Sequence, residues 1–195
     1  VIVFNGEIYN YIEIKKELQL IGYNFRTSSD TEVLLNAYIE WGEKCVAKFN
    51  WMWAFAIYNI RENMLFCSRD RFGIKPFNHA IIKNKFIFSS EIKSILNYFP
   101  EFQIPNYNVI ANYCRNGLGT QIKETWFRGI YRLPPAHNLI WKNGKLKINK
   151  YWEYPANTIQ KISLAEAGQA YRELFFNAVK LRMRSDVPVG TTLSS

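Results

Sequence analysis

The sequence predicts an α+β fold for residues 1–154 and the beginning of a second domain over residues 155–195. After one short apolar strand, two segments have apolar residues at helical spacing, and several strand-like segments joined by short turns follow them. Helices that are segregated from antiparallel hairpins are typical of the α+β class. The domain boundary is predicted at residues 154–158, a linker after which a new helix begins.

The first part of the chain is predicted to form one strand and two helices. Residues 1–4 are apolar and indicate a buried strand, and residues 11–21 follow as a helix whose start Asn10 is expected to cap. Asp30 is expected to open and cap a second helix, because apolar side chains recur at helical spacing until Gly42.

From residue 53 onwards the apolar pattern is typical of strands and short helices. The predicted hairpin strands are residues 53–60 with 64–68, 79–82 with 86–89, and 139–141 with 146–148. Asn143-Gly144 predicts a type I′ turn in the last hairpin, because both residues tolerate positive φ. Short helices are expected at residues 91–98 and 106–116. The last predicted helix begins at Ser163 and Glu166, which have the spacing of a capping box.

Composition excludes several classes of protein. No apolar run approaches the roughly 18 residues that a membrane-spanning helix needs, so no membrane partner is expected. The net charge is +9, but the cations are scattered, and nucleic acid is therefore not expected as a partner. The three cysteines lie far apart without metal-ligand spacing, which predicts reduced thiols, no metal site and a cytoplasmic protein. The chain begins inside a predicted strand and stops where a loop opens, so both ends are expected to be cut.

The hexapeptide at residues 5–10, Asn-Gly-Glu-Ile-Tyr-Asn, follows the first predicted strand. The side-chain amide of Asn5 and a backbone N–H beside Gly6 would offer two donors to one oxygen, which is the arrangement of an oxyanion hole. Asn-Gly is also a common turn dipeptide. Taken alone, these two residues favour the turn.

Five more segments follow the hexapeptide in the order that is typical of class II glutamine amidotransferases, which are N-terminal-nucleophile (Ntn) hydrolases. They are Ser29–Glu32 (SDTE), Phe55–Tyr58 (FAIY), Arg69–Pro76 (RDRFGIKP), Phe88–Lys93 (FSSEIK) and Leu133–His137 (LPPAH). Six ordered matches over residues 4–137 are far more specific than any single one, and the chain resembles this family. The resemblance implies an Ntn-type α/β/β/α sandwich.

The resemblance also implies roles for individual residues. The nucleophile of the family is an N-terminal cysteine, which this chain does not contain, so the chain by itself is expected to be inactive. Asn5 and Gly6 are expected to form the oxyanion hole. Glutamine is expected to contact Asn5, Gly6, Glu7 and Asp30, with the two carboxylates binding its α-ammonium group. For Arg69-Asp70 and Gly73, an ion pair and a turn that support the domain are the preferred interpretation.

The end of the chain, residues 184–195, resembles the segment of asparagine synthetases that leads into a phosphate-binding PP-loop. The resemblance implies that residues 155–195 are the start of an α/β PP-loop ATP pyrophosphatase domain. The resemblance implies that Leu193 and Ser194 bind ATP, whereas Ser195 stands where glycine is usual. ATP and Mg²⁺ are the implied cofactors, and glutamine, aspartate and ATP are the implied small-molecule partners. The implied reaction is hydrolysis of glutamine to glutamate and ammonia, coupled to ATP-dependent amidation of aspartate, which yields asparagine, AMP and pyrophosphate. A homodimer is left open.

Two other functions stay open at this point. A paralogue could use the same two half-reactions on another carboxylate, such as a sugar acid or a β-lactam precursor. A non-catalytic domain could keep the fold without the nucleophile, and the residue at the true N-terminus would distinguish it from an enzyme.

Overall fold

The computed structural model describes residues 1–117, 123–155 and 161–190, with the backbone alone at residue 51. Contacts divide the chain into two compact units, Val1–Glu153 and Tyr154–Ser195.

The first unit contains the predicted helices and strands in the predicted order, and also a helix at Cys45–Lys48 and a strand at Ile130–Arg132 that were not predicted. Its strands are β1 (Ile2–Ile8), β2 (Trp51–Asn59), β3 (Met64–Arg69), β4 (Asn78–Ile82), β5 (Lys85–Ser89), β6 (Ile130–Arg132), β7 (His137–Lys142) and β8 (Lys145–Lys150). Its helices are α1 (Tyr11–Leu20), α2 (Asp30–Trp41), α3 (Cys45–Lys48), α4 (Ile92–Tyr98) and α5 (Tyr107–Asn116). Short 3₁₀ turns lie at Gly42–Lys44 and Pro100–Phe102.

The strands form two antiparallel sheets. The larger sheet has the order β1-β2-β3-β7-β8, and the smaller sheet has the order β5-β4-β6. One core cluster joins the larger sheet to α1, α2 and α3, a second lies between the two sheets, and a third joins the smaller sheet to α4. The unit therefore has four layers: helices, sheet, sheet and helix.

The two faces of β2 carry side chains of different size. Trp53, Phe55 and Ile57 pack with the helices, whereas Ala54 and Ala56 face the smaller sheet. This alternation follows from the pleat of a strand, in which successive side chains point to opposite faces. The large residues build the helix-side core, and the small ones leave room between the sheets.

Two buried charged side chains, those of Arg69 and Asp70, stabilise the loop after β3. The Asp70 carboxylate accepts hydrogen bonds from the N–H groups of Phe72, Ile74 and Lys75, each at 3.0 Å. The Arg69 guanidinium donates to three backbone carbonyls, those of Gly73, Lys75 and Leu133. In place of the ion pair expected from the sequence, Asp70 binds backbone groups of the loop, and Arg69 binds backbone carbonyls of the loop and of Leu133.

Several local signals in the sequence are confirmed. Asn143 and Gly144 have φ values of 51° and 73°, as a type I′ turn requires. In the second unit, Ser163 and Glu166 form both hydrogen bonds of the capping box at the start of α6 (Leu164–Arg182).

Among the described residues, no helix combines the length and the apolar character needed to cross a membrane.

The two caps expected for the first helices are wrong. Asn10 makes no capping hydrogen bond to α1, because its side chain binds the chain before β2: it donates to the Lys48 carbonyl and accepts from the Asn50 N–H. The residue that caps α2 is Ser29, whose hydroxyl accepts from the Thr31 N–H.

His79 on β4 is a buried histidine in an aromatic environment. The residue is 2% exposed, and its ring stacks on Phe86 with a centroid distance of 5.7 Å and lies 6.0 Å from the ring of Tyr131. Nδ1 has no hydrogen-bond partner within the part of the chain that the structure describes. Burial, reinforced by the positive charge of Lys123, lowers the pKa of His79 to about 4.

Replacing Asp70 with alanine should strongly destabilise the first unit. The substitution leaves three backbone donors without their acceptor, and the free energy of unfolding should fall by about 3 kcal/mol or more. Chemical denaturation of the chain measures the loss. Glu62→Gln is the matched control, since Glu62 forms an exposed ion pair with Lys142, and it should change stability by less than about 1 kcal/mol. Equal effects of the two variants would contradict the assignment.

Acidification should destabilise the fold through His79. Its pKa is lower in the folded chain than the ordinary value of about 6.5, so the unfolded chain binds the proton first as the pH falls. The contribution of the neutral ring to the free energy of unfolding is complete above about pH 6.5 and is lost as the pH falls to about 4. Between pH 7.5 and pH 5 the loss is about 2 kcal/mol.

His79→Phe keeps an aromatic ring at this position and removes the titration. The free energy of unfolding of this variant, measured at pH 7.5 and pH 5, should not show the decrease that is attributed to His79. An identical pH dependence in the two proteins would exclude His79 as the cause.

Candidate active site

Asn5 and Gly6 lie in the middle of β1, not after it. They pair with Ala54 and Trp53 of β2, and the strand continues to Ile8. The expectation that the hexapeptide follows the strand is therefore wrong, and so is the interpretation of Asn-Gly as a turn. Pairing with β2 along seven residues holds this segment extended.

Gly6 permits an unusually close approach of β2. A Cβ atom at this position would lie 2.4 Å from the Met52 carbonyl oxygen and 2.9 Å from the Trp53 Cα atom, and Gly6 has a φ of +154°. Backbone atoms cannot move aside as a flexible side-chain end can. Only glycine is therefore compatible with this position.

The hydrogen-bonding alternation of the ladder sets the direction of the Gly6 N–H. Val1 and Tyr58 exchange both backbone hydrogen bonds, at 3.2 and 2.8 Å. In an antiparallel ladder such pairs recur at every second residue, so the N–H groups of Gly6 and Ile8 point away from β2. The Ile8 N–H accordingly donates to Asp30 Oδ2 at 3.0 Å. The Gly6 N–H points to the same edge of β1, and at this edge the described residues place no neighbouring strand.

The side chain of Asn5 lies between the two sheets. Its Nδ2 donates to Ser90 Oγ at 3.2 Å. Both residues border a cavity of about 390 Å³, which Ala54 and Ala56 line from β2 and Phe88 lines from β5. The small side chains on this face of β2 make the space into which the Asn5 amide projects.

Glu7 and Asp30 both lie near the end of β1. Glu7 is exposed and shares the face of Asn5, since alternate residues of a strand point the same way. Asp30 is the first residue of α2, and its carboxylate accepts from the Ile8 N–H and, at 3.3 Å, from the Thr31 hydroxyl. The predicted cap role of Asp30 is wrong, because Ser29 fills it. The carboxylate is instead fixed beside β1.

Glu32 is a supporting residue that the sequence reasoning missed. Its carboxylate accepts from the N–H groups of Arg26 and Thr27, at 2.9 and 2.8 Å, and from the Thr27 hydroxyl at 2.6 Å. The hydrogen bond from Thr27 is the main cause that lowers the pKa of Glu32. These contacts stabilise the loop before α2, and this loop places Asp30 beside β1. The spacing Ser29-x-x-Glu32, which is typical of a helix start, was the available signal.

Asn10, the last residue of the hexapeptide, is a second residue whose role the sequence did not reveal. Its two hydrogen bonds to the chain at residues 48 and 50 measure 2.9 and 2.8 Å. They fasten the end of β1 to the beginning of β2, on the side where Glu7 and Asp30 lie. No local pattern in the sequence indicates a partner 40 residues away.

Cys45 and Cys67 lack the features of an activated nucleophile. Cys45 and Cys67 are buried, and burial raises the pKa of Cys45 to about 12 and that of Cys67 well above its usual range. Both thiols therefore stay protonated at neutral pH. Cys114 is exposed on α5. The predicted ATP-binding residues Leu193 and Ser194 lie outside the described residues.

Comparison with known proteins gives a family and a fold. The profile of the glutamine amidotransferase domain matches residues 1–152. In solved structures, the fold is similar to that of glutamine phosphoribosylpyrophosphate amidotransferase from Bacillus subtilis, with a TM-score of 0.56 and 18% identity over 78% of this chain and 29% of that one. The predicted Ntn-type fold, with mixed helices and antiparallel sheets, is confirmed.

Curated relatives cover the whole chain. A Methanocaldococcus jannaschii protein provisionally named glutamine-hydrolysing asparagine synthetase 2 is 42% identical over 100% of this chain and 38% of its own length. Glutamine-hydrolysing asparagine synthetase 3 of Bacillus subtilis is 39% identical over 99% of this chain and 31% of its own. The amidase chry2 of Gibberella zeae is 30% identical over 98% of this chain and 28% of its own.

The chain thus spans about a third of the length of these curated relatives. Its matched region includes β1 with Asn5 and Gly6, and the start of α2 with Asp30. The chain belongs to the glutamine amidotransferase domain family.

Proposed function

We propose that this chain binds and hydrolyses glutamine as part of a glutamine-dependent asparagine synthetase. The observation that carries the proposal is the pair of donors on β1. The Asn5 amide projects into the cavity between the sheets, and the adjacent Gly6 N–H points away from β2. Two fixed donors next to each other are what a tetrahedral oxyanion requires.

The proposed glutaminase reaction uses these donors on the side-chain carbonyl of glutamine. A cysteine thiolate adds to the carbonyl carbon, and the carbonyl oxygen becomes negatively charged. Asn5 and Gly6 donate to this oxygen. Collapse of the intermediate, with a proton delivered to the leaving nitrogen, releases ammonia and leaves a thioester, which water hydrolyses to glutamate. The nucleophile is the N-terminal cysteine of the family, which is not part of this chain.

Glu7 and Asp30 are proposed to bind the α-ammonium group of glutamine. Both lie at the end of β1, and Asp30 is held there by the Ile8 N–H. A carboxylate that accepts a single backbone hydrogen bond on Oδ2 keeps lone pairs for a substrate cation. Two carboxylates bound to one ammonium group would fix the substrate at its α-carbon end and direct its side chain towards Asn5.

The coupled half of the proposal is amidation of aspartate with ATP and Mg²⁺. It is supported by the similarity to two proteins named asparagine synthetases over the whole chain. In this proposal residues 1–154 form the glutaminase domain and residues 155–195 begin the ATP-using domain, where Leu193 and Ser194 contact ATP. The division of contacts after Glu153 supports this boundary. The free state of the cysteines suits a cytoplasmic enzyme.

A second candidate is an amidotransferase that acts on another carboxylate. This candidate is kept because the chain is 30% identical to a protein that is named an amidase. Its glutaminase half is the same, so the two candidates differ only in the acceptor. Ammonia-dependent synthesis assayed with aspartate, a sugar acid and a β-lactam precursor distinguishes them. A third possibility is a domain without catalysis, and it would be supported if the intact protein released no ammonia from glutamine.

Asn5→Ala in the intact enzyme should lower glutamine-dependent synthesis by about 10²–10³-fold, because one oxyanion donor is lost. Synthesis from free ammonium should be unchanged, since it bypasses the glutaminase site. Steady-state rates with each nitrogen source measure both effects. The control is Asn108→Ala, an exposed asparagine on α5, which should alter neither rate. A parallel loss of both activities in Asn5→Ala would mean that Asn5 is structural.

Asp30→Asn should raise the KM for glutamine by an order of magnitude or more, because a charge-assisted hydrogen bond contributes about 1.5–3 kcal/mol. The helix should survive, since Ser29 is its cap and the amide oxygen can still accept from the Ile8 N–H. Loss of the charge near the helix start costs about 0.3–1 kcal/mol.

KM for glutamine and melting temperature are measured on the same protein. Glu40→Gln, on the same helix and hydrogen-bonded to Tyr23, is the matched control and should leave KM unchanged. If Asp30→Asn also leaves KM unchanged, Asp30 only anchors α2 to β1.

A further inference from the structure

The Asn5 side chain is fastened to the opposite wall of its cavity. The hydrogen bond from Nδ2 to Ser90 Oγ measures 3.2 Å and joins residues that are 85 positions apart in the sequence. Asn5 belongs to the larger sheet, and Ser90 directly follows β5 of the smaller one. The contact therefore sets the position of the amide relative to both sheets.

Ser90 is itself held in place from β4. Asn78 is 5% exposed, and its Nδ2 donates to the Ser90 carbonyl at 2.9 Å and to the Ser89 carbonyl at 3.4 Å. The Ser89 hydroxyl accepts from the Glu91 N–H at 3.2 Å, which closes the turn before α4. The Ser90 hydroxyl is thus presented by a turn with three side-chain hydrogen bonds. These bonds hold the backbone that carries Ser90, which is half-buried.

An asparagine amide needs such an acceptor to act as a precise donor. The terminal torsion of asparagine has a broad energy profile, so the free side chain samples many directions. The amide nitrogen carries two hydrogens. If one is bonded to Ser90, the direction of the other is determined, and it can be given to a substrate oxygen without further ordering. Donors that are fixed before the reaction need no reorganisation in the transition state.

We infer that Ser90 is a positioning residue for glutamine hydrolysis, which holds the Asn5 amide in the orientation that donates to the oxyanion. The inference rests on the proposed glutaminase function. It assigns Ser90 no contact with the substrate. Ser90 acts through Asn5, and Asn78 supports it through the backbone.

Ser90→Ala in the intact enzyme tests the assignment. Loss of one neutral hydrogen bond should lower kcat for glutamine hydrolysis by about three- to tenfold, with little change in KM. Synthesis from free ammonium should be unchanged. Ser90→Thr, which keeps a hydroxyl, should restore most of kcat. Ser94→Ala is the control, since Ser94 borders the same cavity from α4, and it should behave as the wild type.

A double-mutant cycle separates positioning from a general structural role. In the Asn5→Ala background, Ser90→Ala should have no further effect on kcat, because the side chain that it orients is gone. Additive losses would overturn the inference, and so would a Ser90→Ala enzyme with wild-type kcat. If Asn5→Ala alone lowers kcat, the proposed function stands while the role of Ser90 falls. If the wild-type enzyme releases no ammonia from glutamine, both are wrong.

Discussion

The pairing of β1 with β2 is the constraint on which the candidate site depends. It fixes in one register which residues face the cavity and which N–H groups face away from the sheet. A shift by one residue would turn Asn5 towards the helices, since side chains alternate along a strand. The register is held by Gly6, where β2 comes too close for any side chain, and by the buried Ile8 at the end of the strand.

The two faces of β2 have different roles: one packs in the core, and the other borders the candidate site. The helix side of β2 carries Trp53 and Phe55, which are fully buried and stabilise the larger sheet against α1 and α2. The other side carries Ala54 and Ala56, and their small volume leaves the cavity into which Asn5 projects. The well-packed face of β2 therefore supports the face that borders the cavity. Fixed donors need this arrangement, because their positions are set by the packing behind them.

Buried polar groups connect the site to the rest of the fold. The N–H of Asp70 donates to the Trp53 carbonyl at 2.9 Å, and Trp53 lies opposite Gly6 in the ladder. The Asp70 carbonyl accepts from the Ala136 N–H at 2.8 Å, just before β7. The Tyr151 hydroxyl donates to the Arg69 carbonyl at 2.9 Å. The Arg69-Asp70 loop thus links three strands and the end of the unit. Its role is structural, although it is part of a sequence motif.

Sequence alone determined the class of fold, because it follows from the order of helical and strand-like segments along the chain. It also determined the hairpin turn at Asn143-Gly144 and the capping box at Ser163, because each depends on neighbours within a few residues. Resemblance of ordered motifs also indicated the family. Only the tertiary structure decided that Asn5 and Gly6 lie inside a strand and that Ser90 binds the Asn5 amide. These contacts join segments that are distant along the chain, and no local pattern encodes which distant groups the packing of two sheets brings together.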